Sequence, residues 1–328
     1  MNRESRKPTA SLSLDLDNQW SYMKTHGDSG WEDFPSYLDL VVPRILKFLH
    51  ERNLKITFFI VGQDAALEQN REAIASIADA GHEIANHSFN HEPWLHLYTR
   101  DEMVEEIEKT EAALFSVTGA RPVGFRGPGF SLSPVVLDVL GERGYEYDCS
   151  TLPTYIGPLA RAFYFLKSPS MSKGERERLD KLFGSWWDGF QTLKPHLRET
   201  SPGQIIEIPV TTFPLIKTPI HASYLMYLAG FSTGLARLYW RLALLACRAS
   251  GVQPSLLLHP LDFLSGEDVP ELKFFPGMNL DAARKIQVLE YVTGSLAAVY
   301  QVLTIREHAA AARRTLTAVS AEYTCENA

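Results

Sequence analysis

The sequence predicts a parallel α/β fold, an irregular barrel rather than an open sheet. Three observations predict it. Short β-rich runs alternate with longer helical patterns, the spacing of strand–helix–strand units. About seven strands follow one another in a single series. Carboxylates, imidazoles and a guanidinium stand directly after strand ends, where parallel α/β folds gather their chemistry.

The elements read as follows. "ASLSLDL" (10–16) is a strand. "YLDLVVPRILKFLHERN" is a helix in which Pro43 marks a kink or a late start. "KITFFIVG" is a buried strand, β-branched and aromatic, ended by glycine. "NREAIASIADAG" is a helix closed by Gly81, followed by the short strand "HEIAN". "TRDEMVEEIEKTEAALFSVTG" is a helix with a capping box, Thr99 and Glu102, closed by Gly119. After the strand "PVGFR" comes "SPVVLDVLGERG", with Ser133 as N-cap and Pro134 at the first helical position. "YEYDCS", "QIIEIPV", "SLLLHP" and "YQVLTI" complete the strands. From about Tyr155 to Gly203 the rhythm breaks. That stretch holds "SMSKGERERLDKLFGSWWDGF" and reads as an inserted helical region of the kind that covers a ligand site.

Bulk composition narrows the function. The chain has 328 residues, 45% hydrophobic and 22% charged, ordinary for a globular protein. A net charge of −7 without a basic stripe argues against nucleic acid as a partner. Cys149, Cys247 and Cys325 lie far apart with no CxxC spacing, which argues against a disulfide framework and fits a reducing compartment. The N-terminus "MNRESRKPTASLSLDLDNQW" shows no apolar signal region, so a cytoplasmic location is expected. Thr218 to Ala236 is free of Asp, Glu, Lys and Arg for about 19 residues, near the lower limit for a membrane span. It contains Pro219, Gly230 and Gly234 and leads into "RLYWRLALLACR". Two readings stay open there, a buried helix pair and a surface that touches a membrane interface.

The strand ends carry the chemistry. Asp15 and Asp17 are two apart, so on a strand they face the same way, and two carboxylates side by side call for a cation or a proton between them. In "GHEIANHSFNHEPW", His87 and His91 are four apart and can aim two ring nitrogens at one ion if the segment turns like a helix. Arg126 ends a strand in "GFRGPGF", and His259 ends another in "LLLHP". For each alone the bland reading is a polar strand end or a solvated turn; together they define one rim.

Asp-x-Asp on the first strand, "HSFNH" after "GHEIAN", "FRGPGF" and "LLLHP", in that order, resemble the polysaccharide deacetylases, the NodB-homology carbohydrate esterases of family 4. The resemblance covers most of residues 9–308. Its first motif departs from the commoner Thr-Phe-Asp-Asp-Gly form, because Leu16 separates the two aspartates. The resemblance implies a deformed (β/α) barrel of about seven parallel strands. It implies a single catalytic domain over residues 1–313, with insertions at about 155–203 and 218–250 and a tail at 314–328. It also implies hydrolytic removal of an N-acyl group, most simply acetyl, from an amino sugar.

By the same resemblance, Asp17, His87 and His91 would hold a divalent metal, Zn2+ first, with positions left open for catalysis. Asp15 would be the general base, held by Arg126. The Gly129 amide would donate to the oxyanion, and His259 would protonate the leaving amine. Glu207 corresponds to the acidic residue that the family sets near the catalytic histidine; its bland reading is a strand-end carboxylate paired with a lysine or arginine. Trp94, Trp186 and Trp187 offer flat faces for a sugar, with core packing as the alternative for each. His26, His96 and His221 read as ordinary surface or capping histidines.

Members that act on chitin, xylan or peptidoglycan need export, and none is visible here, so the expected substrate is met inside the cell. A lipid-linked saccharide is favoured by the apolar segment 218–249 and by "LARAFYFLKSP" (159–169), with peripheral contact at the membrane's inner face. The alternatives are a deformylase of a lipid-linked amino sugar, a non-haem iron site built from the same ligands, a metal-free amidohydrolase, and a non-catalytic saccharide-binding module.

Overall fold

A computed structural model describes residues 7–157 and 186–326. The region "LARAFYFLKSP" and most of the expected covering insertion lie outside the described residues.

Strand β1 (Thr9–Leu16) is the axis of the fold. Its alternation sets the two faces. Leu12, Leu14 and Leu16 point outward into the main hydrophobic core. Ser11, Ser13 and Asp15 take the other face, all buried. The Ser13 hydroxyl accepts from the Arg126 guanidinium (3.1 Å), so the polar face looks into the curl of the sheet. Strand β2 (Thr57–Ile60) lies parallel on one side of β1, in the register Ser13↔Thr57. Strands β3 (Glu83–Asn86), β4 (Gly124–Phe125) and β5 (Tyr147–Asp148) continue in parallel order. Strand β6 (His196–Thr200) is antiparallel to β7 (Gly203–Glu207), which returns to pair in parallel with β5. Strand β8 (Ser255–Leu258) pairs with the other side of β1, and the short β9 (Gln301–Leu303) pairs with the start of β1.

The nine-stranded sheet therefore runs β6-β7-β5-β4-β3-β2-β1-β8. Its two ends meet through the Thr211 amide donating to the Ser255 carbonyl (3.0 Å) and the Ser255 amide donating to the Thr211 hydroxyl (2.8 Å). This is a deformed (β/α) barrel; among the described residues eight strands run parallel, where about seven were expected, and β6 is antiparallel.

The helices surround the sheet. They are α1 (Gln19–His26), α2 (Leu38–Glu51), α3 (Gly62–Ala66), α4 (Arg71–Asp79), α5 (Arg100–Thr118) and α6 (Pro134–Glu142). After residue 186 follow α7 (Ala222–Phe231), α8 (Thr233–Ser250), α9 (Ala282–Val299) and α10 (Ile305–Glu326). The capping box of α5 and the Ser133 cap of α6 form as the sequence predicts. Pro43 sits inside α2, which starts five residues earlier at Leu38. The apolar stretch 218–236 is divided at Ser232, which caps α8, and no helix among the described residues is long and apolar enough to cross a membrane. Helix α10 runs across residue 313 and carries Ile305, Ala309 and Ala312 into the barrel interior. His308 there meets Ser11 at the start of β1 (2.9 Å), so α10 closes the end opposite the strand C-termini.

Two elements have no clear sequence signature. Helix α1 starts directly at the rim, where Asn18 caps it by accepting from the Gln19 amide. Strand β6 lies in the inserted stretch and alternates too weakly to stand out, with only part-buried or exposed residues.

Candidate metal centre

The end of β1 brings Asp15 and Asp17 to the rim, 5% and 8% exposed. The Tyr37 hydroxyl donates to the Asp17 carbonyl (2.5 Å) and fixes the backbone there. His87 follows the last residue of β3. Its Nδ1 donates to the Arg126 carbonyl (2.7 Å), which directs the Nε2 lone pair into the site. His87 Nε2 lies 3.3 Å from Asp17 Oδ1 and 4.0 Å from Asp15 Oδ2. His91 Nε2 lies 3.0 Å from the same Asp17 oxygen.

The segment from His87 to His91 does not turn like a helix. Ser88 (φ 62°) and His91 (φ 54°) take left-handed backbone instead, an uncommon conformation for residues with side chains. The surroundings enforce it. Asn86 Oδ1 accepts from the Ser88 amide (2.7 Å), and the Ser88 hydroxyl accepts from the His91 amide (3.2 Å). Glu106, buried on α5, accepts from the Phe89 and Asn90 amides (2.9 and 2.7 Å) through one oxygen and from the Asn90 side chain (2.8 Å) through the other. The Trp20 and His91 rings meet in a T-shaped arrangement, 6.4 Å between centroids.

The donor set fits a divalent ion. One carboxylate oxygen and two imidazole nitrogens converge, all within 4.8 Å of one another. Ligand atoms about 2.0–2.2 Å from a common ion stand about 2.8–3.6 Å apart, which matches both pairs with Asp17. The electrostatics also favour positive charge. Burial pushes the Asp17 carboxyl up, but the His91 and His87 imidazoles outweigh it and hold it well below the usual carboxylate range. Burial pulls His87 down, and Asp15 and Asp17 together raise it above its ordinary value.

Asp15 is asymmetric. Arg126, fully buried and stacked on the Phe59 ring (4.1 Å), donates to its Oδ1 at 2.5 Å. The same guanidinium donates through Nε to the Cys149 carbonyl (3.1 Å), so its position is fixed from two strands. Oδ2 is the Asp15 oxygen turned toward His87, 4.0 Å from its Nε2.

Gly129 lies in the turn Pro128–Phe130 with φ 59°. The flanking amides of Phe130 and Ser131 are used by that turn, donating to the Gly127 and Pro128 carbonyls. Gly127 has no alternative: a Cβ there would lie 2.1 Å from the Ser131 carbonyl oxygen.

His259 comes to the same rim. The register Leu14↔Leu258 sets it, next along β8, level with Asp15. Its Nδ1 meets the Ser223 hydroxyl at 3.0 Å, and its amide donates to Asp262 (2.8 Å). Asp262 is buried and also accepts from Ser223; burial raises its carboxyl, with His259 and Ser223 opposing. His221, expected to be an ordinary histidine, caps α7 and stands 6.1 Å from the His259 ring; burial and His259 lower it to about 3.

Glu207 is a strand-end carboxylate paired with an arginine, the alternative reading given for it above. It is fully buried opposite Asp148 and accepts from Arg198 Nε (3.0 Å). Burial and Asp148 push its carboxyl well up.

Trp94 precedes the turn Leu95–Leu97 and lines an open cleft of about 380 Å³ with Asn90, Tyr98 and Glu106. Trp186 and Trp187 are 56% and 77% exposed on the turn Trp186–Phe190, with Trp187 against Phe190 at 5.8 Å.

Sequence reasoning missed Glu106, Ser223 and Asp262. Glu106 reads as one more acid on an acidic helix, and Ser223 as a hydroxyl in an apolar run. Asp262, three residues after His259 and next to a proline turn, had the only usable signal.

The chain matches the family model described as polysaccharide deacetylase over residues 28–147, a stretch that holds His87, His91 and Arg126 and excludes Asp15 and Asp17. It is 27% identical over 154 residues to the peptidoglycan deacetylase of Helicobacter pylori, covering 45% of this chain and 50% of that protein. It is 32% identical over 121 residues to the peptidoglycan-N-acetylglucosamine deacetylase PgdA of Listeria monocytogenes, covering 37% of this chain and 25% of that one. The matched stretches thus span half or less of these relatives' own length. A solved structure from Mycobacterium smegmatis, a presumed polysaccharide deacetylase, superposes with a TM-score of 0.63 over 96% of this chain and 93% of its own, at 21% identity, a likeness of fold. Over residues 28–147 the chain is thus similar to the polysaccharide deacetylases, and its barrel has the fold of the solved structure.

Proposed function

We propose that this protein is a divalent-metal-dependent hydrolase that removes an N-acyl group, acetyl in the first instance, from an amino sugar. One observation carries the reading. Asp17, His87 and His91 converge on one point, and beside them Asp15 keeps one oxygen free while Arg126 holds the other.

Asp17 Oδ1 and the Nε2 atoms of His87 and His91 would hold the ion, with zinc first by donor type. When bound, the ion acidifies water and polarises the amide carbonyl. Asp15 Oδ2 takes the proton of the attacking water, and Arg126 fixes the carboxylate in the orientation that leaves this oxygen exposed. The Gly129 amide donates to the oxygen that gains charge as the carbonyl becomes tetrahedral. Ser223 holds Nδ1 of His259, which leaves Nε2 to deliver a proton to the departing nitrogen. Asp262 and Ser223 keep that ring in place rather than touching substrate.

The named relatives act on peptidoglycan and its N-acetylglucosamine, so N-acetylglucosamine within a glycan is the first probe. Zinc-loaded protein is incubated with N-acetylglucosamine oligosaccharides, peptidoglycan fragments, and nucleotide-linked and lipid-linked N-acetyl and N-formyl amino sugars, and released acetate and formate are measured. Acetate from one class establishes the reaction and its carrier. Formate alone replaces this reading with a deformylase, and no release with one ion bound per chain replaces it with a saccharide-binding module.

A further inference from the structure

We infer that the outer face of helices α7 and α8 is a docking surface for an anionic lipid bilayer. Helix α8 buries Ala236, Trp240, Ala243 and Cys247 against the barrel. Its opposite side carries Leu235, Leu238, Leu242 and Leu245, from 47% to 62% exposed, at the spacing of one helical stripe. Phe231, at the end of α7, is 70% exposed, and Leu215 and Ile216 in the preceding loop are 82% and 55% exposed. That loop is tied to α8 because the Thr218 hydroxyl meets the Tyr239 hydroxyl at 2.5 Å. Single exposed leucines are ordinary, but a continuous stripe flanked by aromatic rings marks a contact surface.

Charge complementarity selects the occupant. From Ile208 to Leu261 the chain contains no Asp or Glu, whereas Lys217, Arg237, Arg241 and Arg248 lie there. All 39 acids fall outside this stretch, against 28 of the 32 Lys and Arg. Among the described residues none of these four cations enters an ion pair with a carboxylate. Apolar side chains interleaved with unneutralised cations suit a surface of lipid phosphates over acyl chains. A chain of net charge −7 would meet such a surface through a face free of acids.

The face is also joined to the catalytic rim. An aromatic line leads outward from His259 to His221 (6.1 Å), Tyr224 (6.4 Å), Tyr227 (6.3 Å) and Phe231 (5.2 Å). Docked in this way, the rim stands about one short helix away from the bilayer surface, since α7 has ten residues. The surface does not depend on the deacetylase reading, and its test does not use activity.

Full-length protein is sedimented with vesicles of phosphatidylcholine alone and of phosphatidylcholine with about 30% phosphatidylglycerol, and its mass in solution is measured by light scattering. The parent is expected to sediment with the anionic vesicles and to be released by salt. Leu238→Asp with Leu242→Asp, and separately Arg241→Glu, are each expected to lower the partition coefficient about tenfold or more with unchanged circular dichroism. Arg241→Glu keeps the test decisive if the leucine variant misfolds. The inference is overturned if the parent stays in the supernatant, which is the result expected if another part of the chain covers the face. It is also overturned if the variants bind as the parent does, or if the parent is a dimer that Leu238→Asp dissociates.

Discussion

Asp15 shows how neighbours make the two oxygens of one carboxylate unequal. Its two oxygens differ only because Arg126 grips one of them, and Arg126 can do so because Ser13 and the Cys149 carbonyl hold the guanidinium in place. The sequence shows Asp15, Asp17 and the histidines plainly, since spacing two on a strand and polar residues at strand ends are local signals. Glu106 is not visible in this way, because its partners are amides 16 and 17 residues upstream. It holds the His87–His91 loop in its left-handed turns, so Glu106→Ala is expected to weaken zinc binding about 10–100-fold while leaving the ligands intact, as titration calorimetry can measure. Wild-type affinity in that variant would remove Glu106 from the site. Asp64 offers a separate test. It is fully buried, accepts from Asn18, Trp20 and Asn70 through one oxygen, and burial raises its carboxyl from 3.8 to about 7. The folded chain therefore holds this proton more tightly than the unfolded chain. Stability from this group is complete below about pH 4 and is lost as pH rises through 7, by at most about 4 kcal/mol. Asp64→Asn keeps an acceptor oxygen, so urea unfolding should show it gaining on the parent between pH 4 and 8; a constant difference would contradict this.

At the scale of elements, the site is made by how segments end. Strands β1, β3, β4 and β8 each deliver a chemical group, Asp17, His87, Arg126 and His259, one residue past their C-terminal end, and the caps of α5 and α6 fix where the supporting helices begin. Those caps were legible because Thr-x-x-Glu and Ser-Pro act within one turn. The geometry of the histidine loop was not, because the helix-like spacing of His87 and His91 is satisfied equally by two left-handed residues held from α5. Strand β6 escaped because its residues alternate too weakly in burial, although its partner β7 follows it directly. Gly127 tests the turn that carries Gly129. With a backbone carbonyl 2.1 Å from where its Cβ would stand, Gly127→Ala must move the turn, at an expected cost of about 2–3 kcal/mol in unfolding free energy and a loss of turnover larger than the loss of stability accounts for. An alanine variant with parental Tm and turnover would show that the turn is free to relax.

For the whole molecule, the barrel's polarity explains the division of labour. Helix α10 and the Ser11–His308 contact fill the end where β1 begins, and the candidate metal ligands gather at the end where β1 finishes. The parallel α/β class and the seven main strands follow from alternation of short strands and longer helices, which is a global pattern that survives local ambiguity. The way the sheet ends meet, through Thr211 and Ser255 rather than a full ladder, depends on loop geometry that composition does not encode. The position of Glu207 follows from that same topology, on the β7 side of the sheet with Arg198. The central claim is that Asp15 is the base beside a metal site made by three other side chains. The most direct measurement is zinc content and acetate release from an N-acetylglucosamine oligosaccharide, in the parent and in Asp15→Asn. The account predicts one ion per chain in both and release falling at least about a thousandfold in the variant. Undiminished release from Asp15→Asn, or release from the parent that survives verified removal of the metal, would contradict it.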